Sequence, residues 1–200
     1  MVFGVLRSLE GYGAGTLRYF TIQSNILVAA VTLYLLVDGL LRARAGRAPA
    51  TAEPGGGLAA AYLRGIAMLA ISLTGIVFHT LLAPLLPSPI GFDSHVLHTI
   101  VPIGFVLDWL VFSRKGRFRF RDVPVWVVYP LVYLAATLLV AAYYDGFYPY
   151  PFMDAATYGY GAVARNCAVL LVAFAALAVA YVGVDKLLAR WARKRACRLQ

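Results

Sequence analysis

Long apolar stretches alternate with short polar connections along the whole chain. Five of the stretches are long enough to cross a bilayer, because a helix that rises 1.5 Å per residue needs about 20 residues to span about 30 Å of hydrocarbon. They are residues 19–41, 60–86, 95–112, 123–144 and 161–188. They are apolar on every face, whereas membrane-barrel strands are segments of about ten residues with alternating polarity. The pattern predicts an all-α, polytopic transmembrane bundle of about five spans that forms a single domain over residues 1–200.

The segments outside the spans are short. Residues 1–18 are interrupted by glycines and are too short for a span or a secretory signal. Residues 42–58, with two prolines and three consecutive glycines, predict a flexible cytoplasmic linker, and residues 189–200 form a basic cytoplasmic tail. In the third connection, arginines alternate with Phe118 and Phe120, which is typical of a segment anchored at lipid headgroups.

Composition and charge agree with a membrane location. The chain is 62% hydrophobic and 14% charged, with a mean hydropathy of +0.76, which is outside the usual balance of a soluble domain. Its net charge of +9 is concentrated in the first and third connections and the tail rather than spread over a surface, so no nucleic-acid partner is expected. By the positive-inside rule these parts, including the C-terminus, are cytoplasmic. Arg7 and Arg18, on the outer side, depart from the rule.

Polar side chains gather at the predicted outer ends of four helices. Such groups are costly in hydrocarbon and mark candidate sites, and residues three or four apart share one helix face. The set consists of Thr21, Ser24 and Asn25 on the first helix, His79 on the second, His95, His98 and Thr99 on the third, and Arg165 and Asn166 on the fifth. All three histidines of the chain are in this layer, which favours a functional site over isolated hydrogen bonds between helices.

The fourth connection is the most aromatic stretch of the chain. It includes Tyr148 and Tyr150, and its two prolines prevent a regular helix. Two interpretations stay open. Part of the aromatic content is explained by a belt at the water boundary, and the remainder suits a lid over an apolar ligand.

Three chemistries could use the polar layer. A neutral histidine beside a Ser or Thr hydroxyl suits nucleophilic attack on an ester. His95 and His98, with His79 or Asp93, could hold a divalent metal, although this motif supplies only two ligands from one helical turn. A bis-histidine haem site would need imidazoles on opposite sides of the iron, which His79 and His98 could supply. We expect neither a metal nor another cofactor.

Three short motifs resemble one known family. They are Arg-Tyr-Phe-Thr-Ile-Gln-Ser-Asn at 18–25, His-Val-Leu-His-Thr-Ile-Val-Pro at 95–102 and Tyr-Pro-Tyr-Pro-Phe at 148–152. Together they resemble the androgen-induced-protein family and its bacterial relatives, over about residues 18–155. Members with known activity are integral membrane threonine hydrolases that cleave fatty acid esters of hydroxy fatty acids with one Thr and one His. The family usually has six spans, so the resemblance implies either a start upstream of residue 1 or the loss of a helix.

The resemblance implies a lipid-ester hydrolase with Thr21 as the nucleophile and His98 as the base. The expected substrate or oxyanion contacts are Ser24, Asn25, His79, His95, Thr99, Tyr148, Tyr150, Arg165 and Asn166. The expected partners are a lipid substrate and the membrane, and the resemblance to bacterial relatives implies a bacterial cytoplasmic membrane. Two rival hypotheses are a non-enzymatic lipid-binding or transport protein and, third, a metal-dependent membrane hydrolase.

Overall fold

A computed structural model describes residues 2–45 and 58–198 of the chain. It is 87% helical, with no strand in those two segments. The helices are α1 (Val2–Tyr12), α2 (Phe20–Arg44), α3 (Ala59–Leu85), α4 (Phe92–Phe112), α5 (Phe120–Asp145) and α6 (Ala155–Cys197). Helices α2 to α6 are long and apolar enough to cross a membrane. The predicted all-α bundle of five spans is confirmed, and the chain has the fold of an integral membrane protein.

The helix bounds follow the apolar stretches closely except in α6, which begins earlier, at Ala155, is kinked at Gly159 (φ 76°), and extends past its apolar stretch at the C-terminal end. Helix α6 continues through Cys197, so most of the predicted basic tail is helical. The predicted linker 42–58 lies largely outside the described residues, and its first residues, 42–44, belong to α2.

Helix α3 is the centre of the bundle. In its most hydropathic 18-residue window 56% of the residues are buried, against 11% to 28% in the other four spans. Close packing requires glycine at one point on this helix, because a Cβ on Gly65 would lie 2.2 Å from the indole of the fully buried Trp126 in α5. Neighbouring helices therefore pack around α3, while their other faces remain apolar and exposed toward lipid.

Alternating chain direction places the start of α2, α4 and α6 and the end of α3 and α5 together. We call this the Thr21 end and the opposite one the basic end. Three π-helical turns occur near the Thr21 end, at Phe78–Leu82, Val96–Ile100 and Ala141–Asp145. Such turns contain an extra residue and occur frequently at functional sites.

The short helix α1 packs onto the Thr21 end. At 11 residues it is too short to cross the hydrocarbon. Its Val5 forms a small buried cluster with Ile22 of α2 and Leu97 of α4. Helix α1 therefore helps to cover the region where α2 and α4 meet.

The third connection belongs partly to the protein core. Phe118 is only 2% exposed and stacks on Trp109 with ring centroids 5.6 Å apart. The carboxylate of the buried Asp185 accepts the N–H groups of Gly116 at 2.8 Å and Phe118 at 3.0 Å. The predicted headgroup anchoring is therefore wrong for Phe118, since its ring fills the bundle. Phe120 is 54% exposed and remains compatible with that role.

Candidate functional site

The site is centred on a hydroxyl and an imidazole that come from different helices. Thr21 lies in the first turn of α2 and His98 in the π-helical turn of α4. Thr21 Oγ1 is 3.1 Å from His98 Nε2, although the residues are 77 positions apart in sequence. Thr21 is 8% exposed, so little water competes for this hydrogen bond.

The second ring nitrogen of His98 fixes the orientation of the imidazole. Nδ1 is 2.9 Å from the carbonyl oxygen of Ser94, and a carbonyl can only accept a hydrogen bond. Nδ1 therefore carries the proton, and Nε2 offers its lone pair to the Thr21 hydroxyl. The ring also stacks on Phe78 of α3, with centroids 3.8 Å apart and an interplanar angle of 18°.

A glycine allows α4 to approach α3 at this level. A Cβ on Gly75 would lie 3.1 Å from the carbonyl oxygen of His98 and 3.2 Å from Pro102. These distances are tighter than ordinary contact, so a larger residue would push α4 outward. The distance between Thr21 and His98 thus depends on a small residue in the central helix.

Tyr150 completes the hydrogen-bonded group around Thr21. Its hydroxyl accepts the backbone N–H of Thr21 at 3.2 Å and lies 3.4 Å from Thr21 Oγ1. The ring is 8% exposed. It packs edge-on against Tyr19 at 5.9 Å and parallel to Phe152 at 5.4 Å. Tyr150 is thus folded into the protein, where it reaches the start of α2.

Asn25 and Ser24 hold the start of α2 in place. The Asn25 side-chain amide donates to the carbonyl of Thr21 at 2.8 Å and to that of Leu97 at 3.2 Å, which uses both of its N–H groups. Ser24 donates to the Thr21 carbonyl at 3.0 Å and lies 2.7 Å from the Thr74 hydroxyl of α3. These buried residues position Thr21, and neither amide hydrogen of Asn25 remains to stabilise an oxyanion.

An apolar cavity of about 90 Å³ lies beside Thr21. Its polar lining consists of Thr21, Thr74, Tyr133, Tyr150 and Cys167, and no charged residue lines it. The remaining lining side chains are Phe20, Leu73, Val77, Leu82, Pro130, Leu131, Leu134, Phe152, Met153, Leu170, Leu171 and Phe174. Leu131 is 40% exposed on the lipid side of α5. One side of the cavity is therefore formed by a residue that is also exposed on the apolar outer surface of the bundle.

The other two histidines have no hydrogen bond to Thr21 or His98 in the described part of the chain. His79 is exposed, and its Nε2 is 2.9 Å from the Thr99 hydroxyl. His95 is exposed one turn before His98. Within residues 2–45 and 58–198, no three His, Cys, Asp or Glu side chains come together as metal ligands would.

The candidate residues of α6 and one tyrosine of the connection also lie outside the hydrogen-bonded group. Arg165 is exposed, and Asn166 donates to the carbonyl of Phe152 at 3.2 Å. Tyr148 is half-buried. Asn166 therefore fastens the aromatic connection to α6, and in the described part of the chain none of the three has a hydrogen bond to Thr21 or His98.

Two further residues, Tyr133 and Arg18, shape the site and were not predicted as site residues. The Tyr133 hydroxyl of α5 accepts the N–H of Phe20 at 3.2 Å and donates to the Arg18 carbonyl at 2.9 Å. Arg18 forms an ion pair with Asp145 and lies over the Phe147 ring, 4.7 Å from its centroid. This pairing compensates the charge of Arg18, which departed from the positive-inside rule. The side chain of Arg7 lies outside the described residues.

The arrangement contains what nucleophilic catalysis requires. A buried hydroxyl faces the lone pair of an imidazole, and a backbone carbonyl fixes that imidazole in the matching tautomer. Comparisons of the chain with protein-family models, with curated proteins and with solved structures find no match.

Proposed function

We propose that the protein is an integral membrane hydrolase of lipid esters, with Thr21 as the nucleophile and His98 as general base and acid. The observation that carries the proposal is the 3.1 Å distance between Thr21 Oγ1 and His98 Nε2, together with the bond that holds Nδ1 on the Ser94 carbonyl. The resemblance to membrane threonine hydrolases leads to the same two residues independently.

The reaction proceeds in two steps through an acyl-enzyme. Thr21 Oγ1 attacks the ester carbonyl carbon while its proton passes to His98 Nε2. The tetrahedral intermediate collapses when the C–O bond to the alcohol breaks, and the imidazolium returns the proton to the departing alcohol. A water molecule then attacks the acyl-threonine with His98 again as base, which releases the carboxylic acid and restores the Thr21 hydroxyl.

The cavity supports an apolar acyl or alkyl chain as part of the substrate. Its outer wall comes from α5 and α6, and no charged side chain lines it. Leu131 lines the cavity and is also 40% exposed on the outer surface, which supports lateral entry of a lipid chain from the membrane. The resemblance narrows the proposed substrates to fatty acid esters of hydroxy fatty acids.

Covalent labelling tests the proposed nucleophile. A fluorophosphonate with a long alkyl chain, added to membranes that contain the protein, should form an adduct on Thr21, because its phosphorus takes the place of the ester carbon and loses fluoride. Mass spectrometry of the labelled protein locates the adduct. Thr74 is the internal control, since its buried hydroxyl also lines the cavity but lies beside Ser24 rather than a histidine.

The labelling result separates the proposal from its main rival. An adduct on another residue, formed equally in Thr21→Ala, would reject the threonine nucleophile. Saturable binding of the lipid without adduct or turnover would support the non-enzymatic lipid-binding protein instead.

We also propose that the protein lies in a bacterial cytoplasmic membrane. Its basic end is cytoplasmic, because loops rich in Lys and Arg stay on that side of the membrane. In a Cys167→Ser, Cys197→Ser background, Ala156→Cys should react with an impermeant thiol reagent applied to intact cells. Arg117→Cys should react only after the membrane is permeabilised. Both positions are exposed, so burial does not explain a difference. The reverse labelling pattern would place the Thr21 end on the cytoplasmic side.

A further inference from the structure

We propose that Tyr150 is a third catalytic residue, whose phenol donates a hydrogen bond to the ester carbonyl oxygen as negative charge develops on it. The inference rests on the proposed hydrolysis and adds the group that stabilises its transition state. It requires that the phenol lies beside the nucleophile, that its proton is available, and that no better donor is present.

The position of the phenol meets the first condition. Its oxygen is 3.4 Å from Thr21 Oγ1, and Tyr150 lines the same cavity as Thr21. When Oγ1 bonds to the ester carbon, the carbonyl oxygen is attached to that same carbon and is only two bonds from Oγ1. A donor beside Oγ1 on the cavity wall is therefore within reach of the developing oxyanion.

The hydrogen bonds of the phenol meet the second condition. Toward the backbone, the Tyr150 oxygen is an acceptor from the Thr21 N–H, so that bond leaves the phenol proton unused. Its side-chain partner is Thr21 Oγ1, and 3.4 Å is long for an O–H···O hydrogen bond, so the phenol proton is weakly held. During attack the phenol hydrogen bond can shift from Oγ1 to the carbonyl oxygen without any proton transfer.

The ionisation and rigidity of Tyr150 favour the same role. Burial raises the pKa of the Tyr150 phenol above its ordinary value, so the group keeps its proton at neutral pH. Contacts with the rings of Tyr19 and Phe152 hold the side chain. A donor that is already oriented needs no rearrangement as charge develops, which is the source of its catalytic effect.

The predicted side-chain amide donors and the Thr21 N–H are engaged elsewhere. Asn25 uses both amide hydrogens on the carbonyls of Thr21 and Leu97. Asn166 donates to the Phe152 carbonyl, and the Thr21 N–H is bonded to Tyr150 itself. Among the side chains that the structure describes around Thr21, the phenol of Tyr150 is the donor best placed for the oxyanion.

The test compares Tyr150→Phe with wild type on a long-chain ester and on the matched thionoester, in which sulfur replaces the carbonyl oxygen. For the ester, kcat should fall by about 10²–10³-fold, the usual cost of losing one oxyanion donor, with KM nearly unchanged. Sulfur accepts hydrogen bonds poorly, so wild type should discriminate strongly against the thionoester. Tyr150→Phe should lose most of that discrimination. A structural defect would slow both substrates equally and leave their ratio unchanged.

Tyr133→Phe is the matched control. Its phenol also lines the cavity and accepts a first-turn N–H of α2, but the structure gives it no hydrogen bond to Thr21. It should keep the wild-type ratio of ester to thionoester turnover. An unchanged ratio in Tyr150→Phe, at any level of activity that still depends on Thr21, would overturn the role of Tyr150 and leave the hydrolase proposal standing. Absence of Thr21-dependent turnover in wild type would overturn both.

Discussion

Thr21→Ala is expected to lower ester turnover by about 10⁴-fold or more, because it removes the atom that forms the covalent bond. The fold and substrate binding should survive. The bonds that hold the start of α2 come from the backbone of Thr21, whose N–H meets Tyr150 and whose carbonyl meets Asn25 and Ser24. The measurement is kcat and KM for a long-chain ester with purified protein in lipid nanodiscs, together with thermal unfolding of each variant.

Two further variants sharpen this prediction. Thr21→Ser keeps the hydroxyl and loses the methyl that restricts its rotamer, so it should retain partial activity. Thr74→Ala removes another buried hydroxyl of the cavity and should have a small effect on kcat. Near-normal turnover in Thr21→Ala would mean that the hydroxyl serves only local hydrogen bonding, as is common in membrane helices, and would end the threonine-hydrolase proposal.

His98→Ala is expected to reduce kcat by a comparable factor, because the hydroxyl then has no base and the departing alcohol has no acid. His95→Ala is the matched control. It removes the exposed imidazole one turn earlier on the same helix and should only weaken activity. Added imidazole should partly restore His98→Ala, since the substitution leaves space between Phe78 and Thr21. Initial rates with and without imidazole give the measurement.

The comparison of His98→Ala with His95→Ala shows whether His98 is the general base. Full activity in His98→Ala would remove this residue from the mechanism. Equal losses in both variants, without rescue by imidazole, would show that the helix rather than the Nε2 atom of His98 was disturbed.

Much of the fold followed from hydropathy alone. A span can be predicted because it requires only about 20 consecutive apolar residues, whatever side chains pack against them. Residue-level contacts depend on those neighbours. The sequence around Phe118 resembles a headgroup anchor, yet the ring completes a cluster with Trp109 and Trp126. Only the packing of three separate segments reveals this.

The candidate site was predictable in part. Helix direction alone put Thr21 and His98 in one layer, and the structure brings their side chains into contact. The division of roles between Asn25 and Tyr150 was not predictable, because an amide and a phenol are both good donors. Both amide hydrogens of Asn25 are donated to backbone carbonyls, whereas Tyr150 accepts a backbone N–H and keeps its own hydrogen for another acceptor. The position of Tyr150 depends on how an irregular, proline-containing connection folds back.

Two π-helical turns meet where Phe78 stacks on His98. The geometry of the site therefore depends on the exact number of residues in these turns, whereas the hydropathy of the spans does not. Each residue of an α-helix turns the chain by about 100°, and a π turn absorbs one extra residue without breaking the helix. If one residue of Val96–Ile100 were lost, the turn could close into regular α-helix, so α4 would still span the membrane with its two halves on the same faces. The residues inside the turn would change position, and His98 is one of them. In homologues, a single-residue gap at this turn would therefore separate chains that keep the fold from those that also keep the site.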